Sequence, residues 1–498
     1  MHSYDIIVIG GGGTGLMAAY AAASEGSSVL VLEKGPALGG TTAMSVGTVA
    51  ASNTELQRQA GIVGDTPDAH FEDMGLFNKT LANRDNLALR RILVDHAPET
   101  IEILTRLGVV FMGPLPEPPH RVPRLHAILP HSRGFIVHLS KACADLGVMM
   151  QTRAKVTALI QSGERVTGVE VAVEDGPTQQ LTARKGVIIA SGDFSAAPLE
   201  YKRHHMSGPL LDIGGINALS TGDGQAMGEA IGGKVVNGDL AWGPEIRFLA
   251  PPNPSIISKL PTWPGLAKLM VWAMKVVPAV LMRPFLLGFV TTFLAPSHNL
   301  FHKGAILINQ QGERFCDELD RPQDHIGRQS PASGWIVFGH EVARQFDQWP
   351  NFISTAPGVG YAYLPDYENS RRDVVKKADT LAELAQTIGV PLPALEASLQ
   401  DHNDTLVRNP ALSPIHQGPF YALGPAISWI VFSEGGLSID TEFRVLDAQD
   451  QPIPGLFAAG SSGQGGIILN GHGHHLGWAF TSGRLAGKRA AQEEIAVA

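Results

Sequence analysis

Apolar runs alternate with glycine-rich and helix-favouring segments at the start of the chain. Tyr4 to Ile9 is apolar and rich in β-branched residues, which predicts a buried strand. The glycine-rich stretch Gly10 to Gly15 follows, and then an alanine-rich segment from Leu16 to Ser24. A second apolar run, Val29 to Leu32, ends in Glu33. This order predicts a strand, a tight turn, a helix and a second strand, as at the start of a parallel α/β sheet.

The same periodicities recur along the chain. Helical spacing of apolar residues occurs at Phe135–Leu146, Thr380–Thr387, Leu392–Thr405 and Leu476–Ala490. Alternating apolar and polar residues predict paired strands at Thr152–Leu159 and Arg165–Val173. At 498 residues the chain exceeds a single simple core, so we predict an α/β protein with two domains.

Residues 263–295 form the most apolar segment of the chain. Lys268, Lys275, Pro278 and Pro284 interrupt it, so it is too broken for a transmembrane span, which needs about 20 apolar residues. Lys268 and Lys275 are seven residues apart and share one helix face. The segment therefore has two interpretations: a helix that lies on a membrane surface, or a helix buried in the core or in a dimer interface.

Composition narrows the function classes. The net charge is −9 and no Lys/Arg-rich run occurs, which argues against nucleic-acid binding. Cys143 and Cys316 stand far apart, so neither a Cys-x-x-Cys pair nor an iron–sulfur site is expected within this chain. Because the first strand begins almost at residue 1, we expect a cytoplasmic protein, with peripheral contact to the inner face of the membrane if residues 263–295 bind lipid.

The glycine-rich turn carries the first chemical signal. Gly10 allows the tight turn out of the strand, Gly12 lets the backbone approach a pyrophosphate, and Gly15 allows close packing of helix on strand. The helix N-terminus offers N–H groups to phosphates. Glu33, at the end of the second strand, is placed to accept ribose hydroxyls. These features predict a dinucleotide site for NAD or FAD.

Two further segments indicate which of the two cofactors is bound. Gly39-Gly40-Thr41-Thr42 follows the acid, and Ile453 to Gly460 places a short strand before a glycine turn. Both resemble the FAD-binding segments of the succinate dehydrogenase and fumarate reductase flavoprotein family. Four more segments match the pattern of that family in its order: Gly186–Phe194, Ser220–Gly224, Asn309–Phe315 and Ala378–Ala385.

The resemblance implies a Rossmann-like FAD-binding domain with an inserted α+β cap domain that binds substrate. We place the first part of the FAD-binding domain at 1–240, the cap at 241–416 and the C-terminal part at 417–498. The final helix is expected to direct its N-terminus at the flavin ring, where it stabilises negative charge. The implied cofactor-binding residues are Gly10, Gly12, Gly13, Thr14, Gly15, Glu33, Lys34, Gly39, Gly40, Thr41, Thr42, Ala154, Ser191, Gly192, Asp223, Gly460, Leu476 and Gly477.

The loop Gly465 to Thr481 is most similar to the 3-ketosteroid dehydrogenases. In those enzymes a glycine N–H at the position of Gly473 helps to bind the ketone oxygen. Fumarate reductases carry an arginine where His475 stands. Leu469 and Phe346 occupy the positions of the two catalytic tyrosines of the ketosteroid enzymes, so Tyr363 is the candidate proton acceptor in the cap.

Other residues of the cap and the loop bear on the alternative functions and on metal binding. Arg321 is the candidate proton donor if the chain is a fumarate-type reductase. For His472, His474 and His475 we expect no metal, because no carboxylate or cysteine accompanies them in the loop.

The predicted function is an FAD-dependent dehydrogenase, acting on CH–CH groups, that desaturates a small hydrophobic ketone, cyclic or steroid-like. The alternatives are a fumarate-reductase-like enoate reductase and a flavin-bound protein without turnover. Thr41 and Thr42 stand where some relatives attach flavin to a histidine, so FAD is expected to be noncovalent. With only one dinucleotide fingerprint, electrons are expected to pass to a separate acceptor, a quinone or a carrier protein.

Overall fold

The structure is a computed structural model, which describes residues 3–77, 79–174, 176–251, 256–277, 291, 294–356, 360–405 and 411–495. The helices are α1 Gly13–Ser24, α2 Gly40–Met44, α3 Glu55–Gln59, α4 Pro67–Phe77, α5 Leu87–Arg106, α6 Arg133–Asp145, α7 Leu199–His205, α8 Asp223–Ala230, α9 Ile256–Lys259, α10 Pro264–Val276, α11 Asn299–His302, α12 Gln323–Ile326, α13 His340–Gln345, α14 Leu364–Ser370, α15 Leu381–Ile388, α16 Leu392–Thr405 and α17 His474–Ala491. The strands are β1 Ser3–Ile9, β2 Val29–Leu32, β3 Thr48–Ala50, β4 Val110–Leu115, β5 Leu125–Leu129, β6 Met149–Gln151, β7 Ala154–Ser162, β8 Arg165–Val173, β9 Gln179–Ile189, β10 Gly214–Gly215, β11 Val235–Val236, β12 Ala241–Trp242, β13 Glu245–Phe248, β14 Ile306–Ile308, β15 Gly334–Phe338, β16 Ser354–Ala356, β17 Gly360–Ala362, β18 Val375–Ala378, β19 Phe420–Ile430, β20 Phe432–Ser433, β21 Gly436–Leu437, β22 Arg444–Leu446 and β23 Pro452–Ala458.

The largest sheet of the described residues has the strand order β22-β23-β9-β1-β2-β6, and β8 and β7 continue from β9 as an antiparallel hairpin. Strand β1 runs parallel to β2 and β9, and β23 runs parallel to β9. The central strands are buried on both faces, as their continuous apolar runs predict. This confirms the predicted α/β fold and shows that the two ends of the chain build one sheet.

Helices α1 and α17 pack against each other over one face of this sheet, and glycines let them approach closely. A Cβ added at Gly483 would lie 2.5 Å from the Thr14 carbonyl oxygen, and one at Gly487 would lie 2.2 Å from that of Ala18. A Cβ at Gly15 would lie 1.9 Å from the Gly10 carbonyl oxygen. The close-packing role predicted for Gly15 is therefore visible in the structure.

A second sheet lies in the cap. Its long strand β19 pairs with β13, β15 and β18 in antiparallel fashion, and β14 pairs with β15. Strand β19 lies on the C-terminal side of the boundary predicted at residue 416. It pairs with strands of the predicted cap and, in parallel, with β10 of the predicted first part of the FAD-binding domain. The domain bounds themselves stay a prediction.

The first half of the apolar segment is a surface helix, α10. Ala267 is buried, whereas Trp263, Leu269, Trp272 and Val276 are all more than half exposed. Residues 278–290 lie outside the described part of the segment. Among the residues that were searched, no helix is both long and apolar enough to span a bilayer.

Candidate active site

A long cleft opens where the central parallel strands end. It is bordered by Ile9, Leu32 and Ala190, at or next to the carboxyl ends of β1, β2 and β9, and it holds about 1220 Å³ of space not filled by protein atoms. In open α/β sheets this edge is where ligands bind. The predicted cofactor residues that line the cleft are Gly10, Gly12, Gly13, Thr14, Glu33, Lys34, Gly40, Thr41, Thr42, Ala154, Ser191, Gly192, Asp223 and Leu476.

The turn into α1 forms one wall of the cleft. Gly10 has a φ of 109°, a conformation that favours glycine. Helix α1 begins after Gly12, which has no side chain to cap it, so the positive end of the helix dipole lies at the cleft. The Gly13 N–H donates to Thr42 Oγ1 over 3.2 Å and so ties the second glycine turn to the first. This arrangement fits the phosphates of a dinucleotide.

Glu33 is buried at the end of β2. Its carboxylate accepts from the Gly11 N–H over 2.8 Å and from the Gly35 N–H over 2.6 Å. These bonds fix the carboxylate at the cleft wall, and each oxygen retains a lone pair for a further donor. A buried carboxylate at this position fits a ribose hydroxyl pair.

Polar residues from three other segments complete this end of the cleft. Lys34 Nζ lies 2.8 Å from the Asp223 carboxylate. Asn217 Nδ2 donates to Thr41 Oγ1 over 2.9 Å. Asn217, which also lines the cleft, was not predicted as a site residue, because nothing in its local sequence marks it.

Four predicted cofactor residues lie behind the cleft wall rather than on it. Gly15 touches the Gly10 backbone, and the Gly39 N–H donates to the Gly11 carbonyl oxygen over 2.9 Å. The Gly460 carbonyl oxygen accepts from Trp478 Nε1, and Gly477 faces Leu93 and Ala50. In this structure these glycines pack the wall that other residues present to the cleft.

The N-terminal turn of α17 closes the other end of the cleft. His475 and Leu476 are on the lining, as is Phe432. The Phe432 and His475 rings are tilted by 43° with their centroids 3.6 Å apart, and Trp242 packs against both rings. This end of the cleft therefore has aromatic walls around one imidazole.

Glu434 is the partner of His475 and was missed as a functional residue. Its Oε1 lies 3.1 Å from His475 Nε2, and Gln464 Nε2 donates to its Oε2. Glu434 is only 2% exposed. Only the fold brings residues 434 and 475 together. A buried carboxylate on an imidazole fixes the ring and strengthens it as a base or as a hydrogen-bond donor.

Asp193 is a second carboxylate of the cleft wall that the sequence analysis did not single out as a site residue. It accepts from the Ser195 N–H over 2.7 Å, and burial raises its pKa. Burial also lowers the pKa of the neighbouring Lys202 to about 8. Both shifts show that this wall is shielded from water.

The three loop histidines diverge. His472 Nδ1 lies 2.5 Å from Glu117, which raises the pKa of His472. His474 turns into the interior, where burial lowers its pKa to about 4, and His475 turns to the cleft. The three side chains therefore lie in three different surroundings.

The remaining predicted catalytic residues lie outside the cleft lining. Gly473 precedes α17, has a φ of 84°, and its carbonyl oxygen accepts from the Ala50 N–H. Arg321 pairs with Asp324 over 2.6 Å and is 60% exposed at its side chain. The Tyr363 N–H donates to Asp366 at the start of α14. Neither cap residue is among the described residues that line the cleft.

Comparisons with known proteins agree with this geometry. NADH:fumarate oxidoreductase of Klebsiella pneumoniae is 27% identical over 98% of this chain, which spans 48% of that relative. The 3-oxosteroid 1-dehydrogenase of Mycolicibacterium smegmatis is 26% identical, with 97% of this chain and 96% of that protein covered. The open conformation of a flavocytochrome c3 fumarate reductase superposes with a TM-score of 0.71 at 23% identity, over 99% of this chain and 78% of that one.

The family match covers most of the chain. Residues 5–252 and 266–470 match the family described as FAD binding domain. The match includes the glycine turn, Glu33 and the loop before α17, and the relatives are oxidoreductases by name. The chain thus belongs to the family described as FAD binding domain.

Proposed function

We propose that the protein is a dehydrogenase that desaturates a hydrophobic cyclic or steroid-like ketone at the α,β position. The observation that carries this proposal is the aromatic end of the cleft, lined by Phe432 and His475, with Trp242 packed against both rings. Among the described residues that line the cleft there is no arginine. A ring ketone needs apolar walls and one or two hydrogen-bond donors, whereas a dicarboxylate needs cationic clamps.

The residues divide the chemistry between them. Bound FAD supplies the two-electron acceptor for the hydride that leaves the β-carbon of the ketone. His475, whose Nε2–H is held by the Glu434 carboxylate, would donate from Nδ1 to the ketone oxygen as an imidazolium, so that enolate character is stabilised when the α-proton leaves. The Gly473 N–H is proposed as a second donor, although Gly473 lies outside the described cleft lining. Tyr363 accepts that proton from the cap side, and Arg321 has the corresponding role if the enzyme runs as a reductase.

The alternative function is an enoate reductase like the fumarate reductases. A fumarate-converting relative is as similar in sequence as the steroid-converting one. Arg247 is paired with Glu245 over 2.6 Å, and its charge acts to lower the pKa of His472, so this function could recruit its guanidinium for a carboxylate.

A substrate screen in both directions tests the proposal. The holoenzyme is assayed with cyclic ketones and an artificial oxidant, and with fumarate, acrylate and related enoates and a reduced dye. We expect turnover with ketones that have a saturated α,β bond. Turnover with carboxylate enoates alone would establish the alternative, and no turnover in either panel would favour a flavin-bound protein without catalysis.

The electron acceptor is proposed to be separate from this chain. Only one dinucleotide fingerprint is present, so the reduced cofactor is expected to be reoxidised by a quinone or a carrier protein rather than by bound nicotinamide. Stopped-flow reoxidation by a soluble quinone, compared with NAD⁺, measures this directly, and reoxidation by NAD⁺ alone would contradict it.

We also propose that α10 docks the cytoplasmic protein on the inner face of the membrane. Leu269, Trp272 and Val276 are spaced three and four apart, so they share one face, opposite the buried Ala267. Lys268 and Lys275 are exposed on the flank of this face. Exposed apolar side chains beside lysines fit an anionic bilayer surface, from which a hydrophobic ketone could enter.

A further inference from the structure

Three histidines from distant parts of the sequence meet in the interior beside the first turn of α17. His70 lies on α4, His120 lies in the loop before β5, and His474 is the first residue of α17. Their ring centroids form a near-equilateral triangle with sides of 5.4, 5.5 and 5.2 Å. One ring nitrogen from each histidine lies within 4.8 Å of the others.

The cluster is buried and incompletely hydrogen-bonded. His70 and His474 are fully buried, and the His120 side chain has no exposed surface. Within the part of the chain that the structure describes, His70 Nδ1 and His120 Nε2 have no hydrogen-bond partner. A buried polar atom without a partner is costly, so the unpartnered His120 Nε2, which is one of the cluster nitrogens, points to a missing ligand.

The geometry suits a tetrahedral metal ion. His70 Nε2 and His474 Nε2 are 3.3 Å apart. Two nitrogens that bind one zinc ion at 2.0–2.1 Å are about 3.3–3.4 Å apart. His474 Nδ1 lies 2.6 Å from the Asn470 carbonyl oxygen, which fixes the proton on Nδ1 and leaves the Nε2 lone pair directed at the cluster.

One carboxylate lies close to the outer nitrogen of His120. Asp73 Oδ2 lies 4.0 Å from His120 Nδ1, the position of the outer partner that a metal-bound histidine commonly has. Arg124, whose NH1 lies 3.0 Å from the same Nδ1, is itself paired with Asp65 and Asp73. Metal binding through His120 Nε2 would move the proton to Nδ1 and require this side chain to turn from Arg124 toward Asp73.

We propose that His70, His120 and His474 bind one divalent transition-metal ion of the zinc class, with water as the fourth ligand. Three imidazoles without a thiolate suit Zn²⁺ or Co²⁺ rather than Mg²⁺ or Ca²⁺, which prefer oxygen. None of the three histidines lines the cleft. The ion would act as a structural clamp that fixes the first turn of α17, next to His475, onto α4.

Metal binding by the chelator-treated holoenzyme is the primary test. We expect one equivalent of Zn²⁺ by titration calorimetry, and Co²⁺ in its place should show the intense visible ligand-field bands of a tetrahedral site. His70→Ala should weaken Zn²⁺ binding by at least about 100-fold, since even outer partners of a ligand contribute 10- to 100-fold. Bound FAD absorbance reports that the variant is folded.

His402→Asn is the matched control. His402 is a buried histidine of the cap that contacts the Ser413 carbonyl oxygen, so its replacement perturbs the fold without touching the cluster. We expect it to retain one equivalent of Zn²⁺. The proposal is overturned if the unmodified holoenzyme takes up no stoichiometric Zn²⁺ or Co²⁺, or if His70→Ala, with FAD bound, retains the same affinity.

Discussion

A single carboxylate joins the two halves of the dinucleotide turn at the residue scale. Glu33 receives N–H groups from Gly11 and Gly35 and still faces the cleft. Its carboxylate therefore holds the turn in place, and its remaining lone pairs are placed to accept hydrogen bonds from a ribose. Both the hydrogen bonds to the turn and those to a ribose depend on the negative charge of Glu33. Replacing Glu33 is therefore the most direct test of the cofactor site.

Glu33→Ala is expected to weaken FAD binding by about 1.5–3 kcal/mol, the contribution of a hydrogen bond to a charged group. Glu33→Gln keeps one oxygen acceptor and should lose less. Flavin fluorescence titration of the apoprotein measures both affinities. Equal affinity of Glu33→Ala and the unmodified protein would rule out the proposed role of Glu33.

His475→Ala is expected to lower turnover by about a hundred- to a thousandfold, as for loss of one oxyanion donor, with a nearly normal flavin spectrum. Glu434→Gln should lower turnover less, since the ring keeps its place but loses the carboxylate. Steady-state kinetics on the substrate found in the screen give both values.

Two cap variants separate the chemistries in the same assay. Sensitivity to Tyr363→Phe fits ketone desaturation, and sensitivity to Arg321→Lys fits enoate reduction. Near-native rates in all of these variants would place the catalytic site elsewhere.

Helix α10 shows at the element scale that exposure argues against burial of its apolar stripe in the core of one chain, while a membrane surface and a dimer interface both remain as partners. Its spacing alone permitted both a buried and a membrane-facing helix. The structure buries Ala267 and leaves Trp272 59% exposed. An exposed face of this kind needs a partner, and the flanking lysines favour an anionic surface.

Replacing Leu269, Trp272 and Val276 together by serine is expected to abolish co-sedimentation with vesicles that contain anionic lipid, while FAD stays bound. The matched control replaces Val63, Leu146 and Met149, which are exposed apolar residues elsewhere, by serine. Co-sedimentation that survives the first set of changes, or is absent in the unmodified protein, would contradict membrane docking by α10.

The two ends of the chain meet across the whole molecule. Helix α1 and helix α17 are more than 400 residues apart in sequence, and Gly483 and Gly487 bring them into backbone contact. The first turn of one helix and the first turn of the other both border the cleft. Cofactor binding therefore depends on the docking of the C-terminal helix.

Gly487→Ala is expected to destabilise the protein by about 1–3 kcal/mol, because the new Cβ would meet the Ala18 backbone. Gly265→Ala is the control, since a Cβ there meets nothing within 4 Å. Chemical denaturation gives both free energies of unfolding. If Gly487→Ala had the same free energy of unfolding as the unmodified protein, close contact between α1 and α17 would not be needed for stability.

The cofactor is expected to leave the protein intact on acid denaturation, because Thr41 and Thr42 offer no histidine for a covalent bond. Added FAD should also raise the unfolding temperature of the apoprotein, since a ligand at 100 times its Kd stabilises by about 2.7 kcal/mol. Chromatography of the supernatant identifies the released flavin. Yellow colour that stays with the precipitated polypeptide would contradict noncovalent binding.

Local patterns were enough for much of the fold. The strand, glycine turn and helix at residues 3–24, and the helices predicted at 380–387 and 392–405, lie where the periodicity placed them, to within a few residues. The turn residues and Glu33 were also predictable, because a phosphate-binding turn needs particular backbone conformations at fixed spacing. These features depend on neighbours in sequence, so the sequence alone determined them.

Contacts between distant segments were decided only by the tertiary structure. The sequence around Glu434 does not predict that it faces His475. The sequences around His70 and His120 likewise do not predict that both face His474. Exposure of α10 likewise depends on which elements cover its other face. Periodicity states that a face is apolar, but only the packing of the whole chain decides whether that face is buried and which side chains meet across the interior.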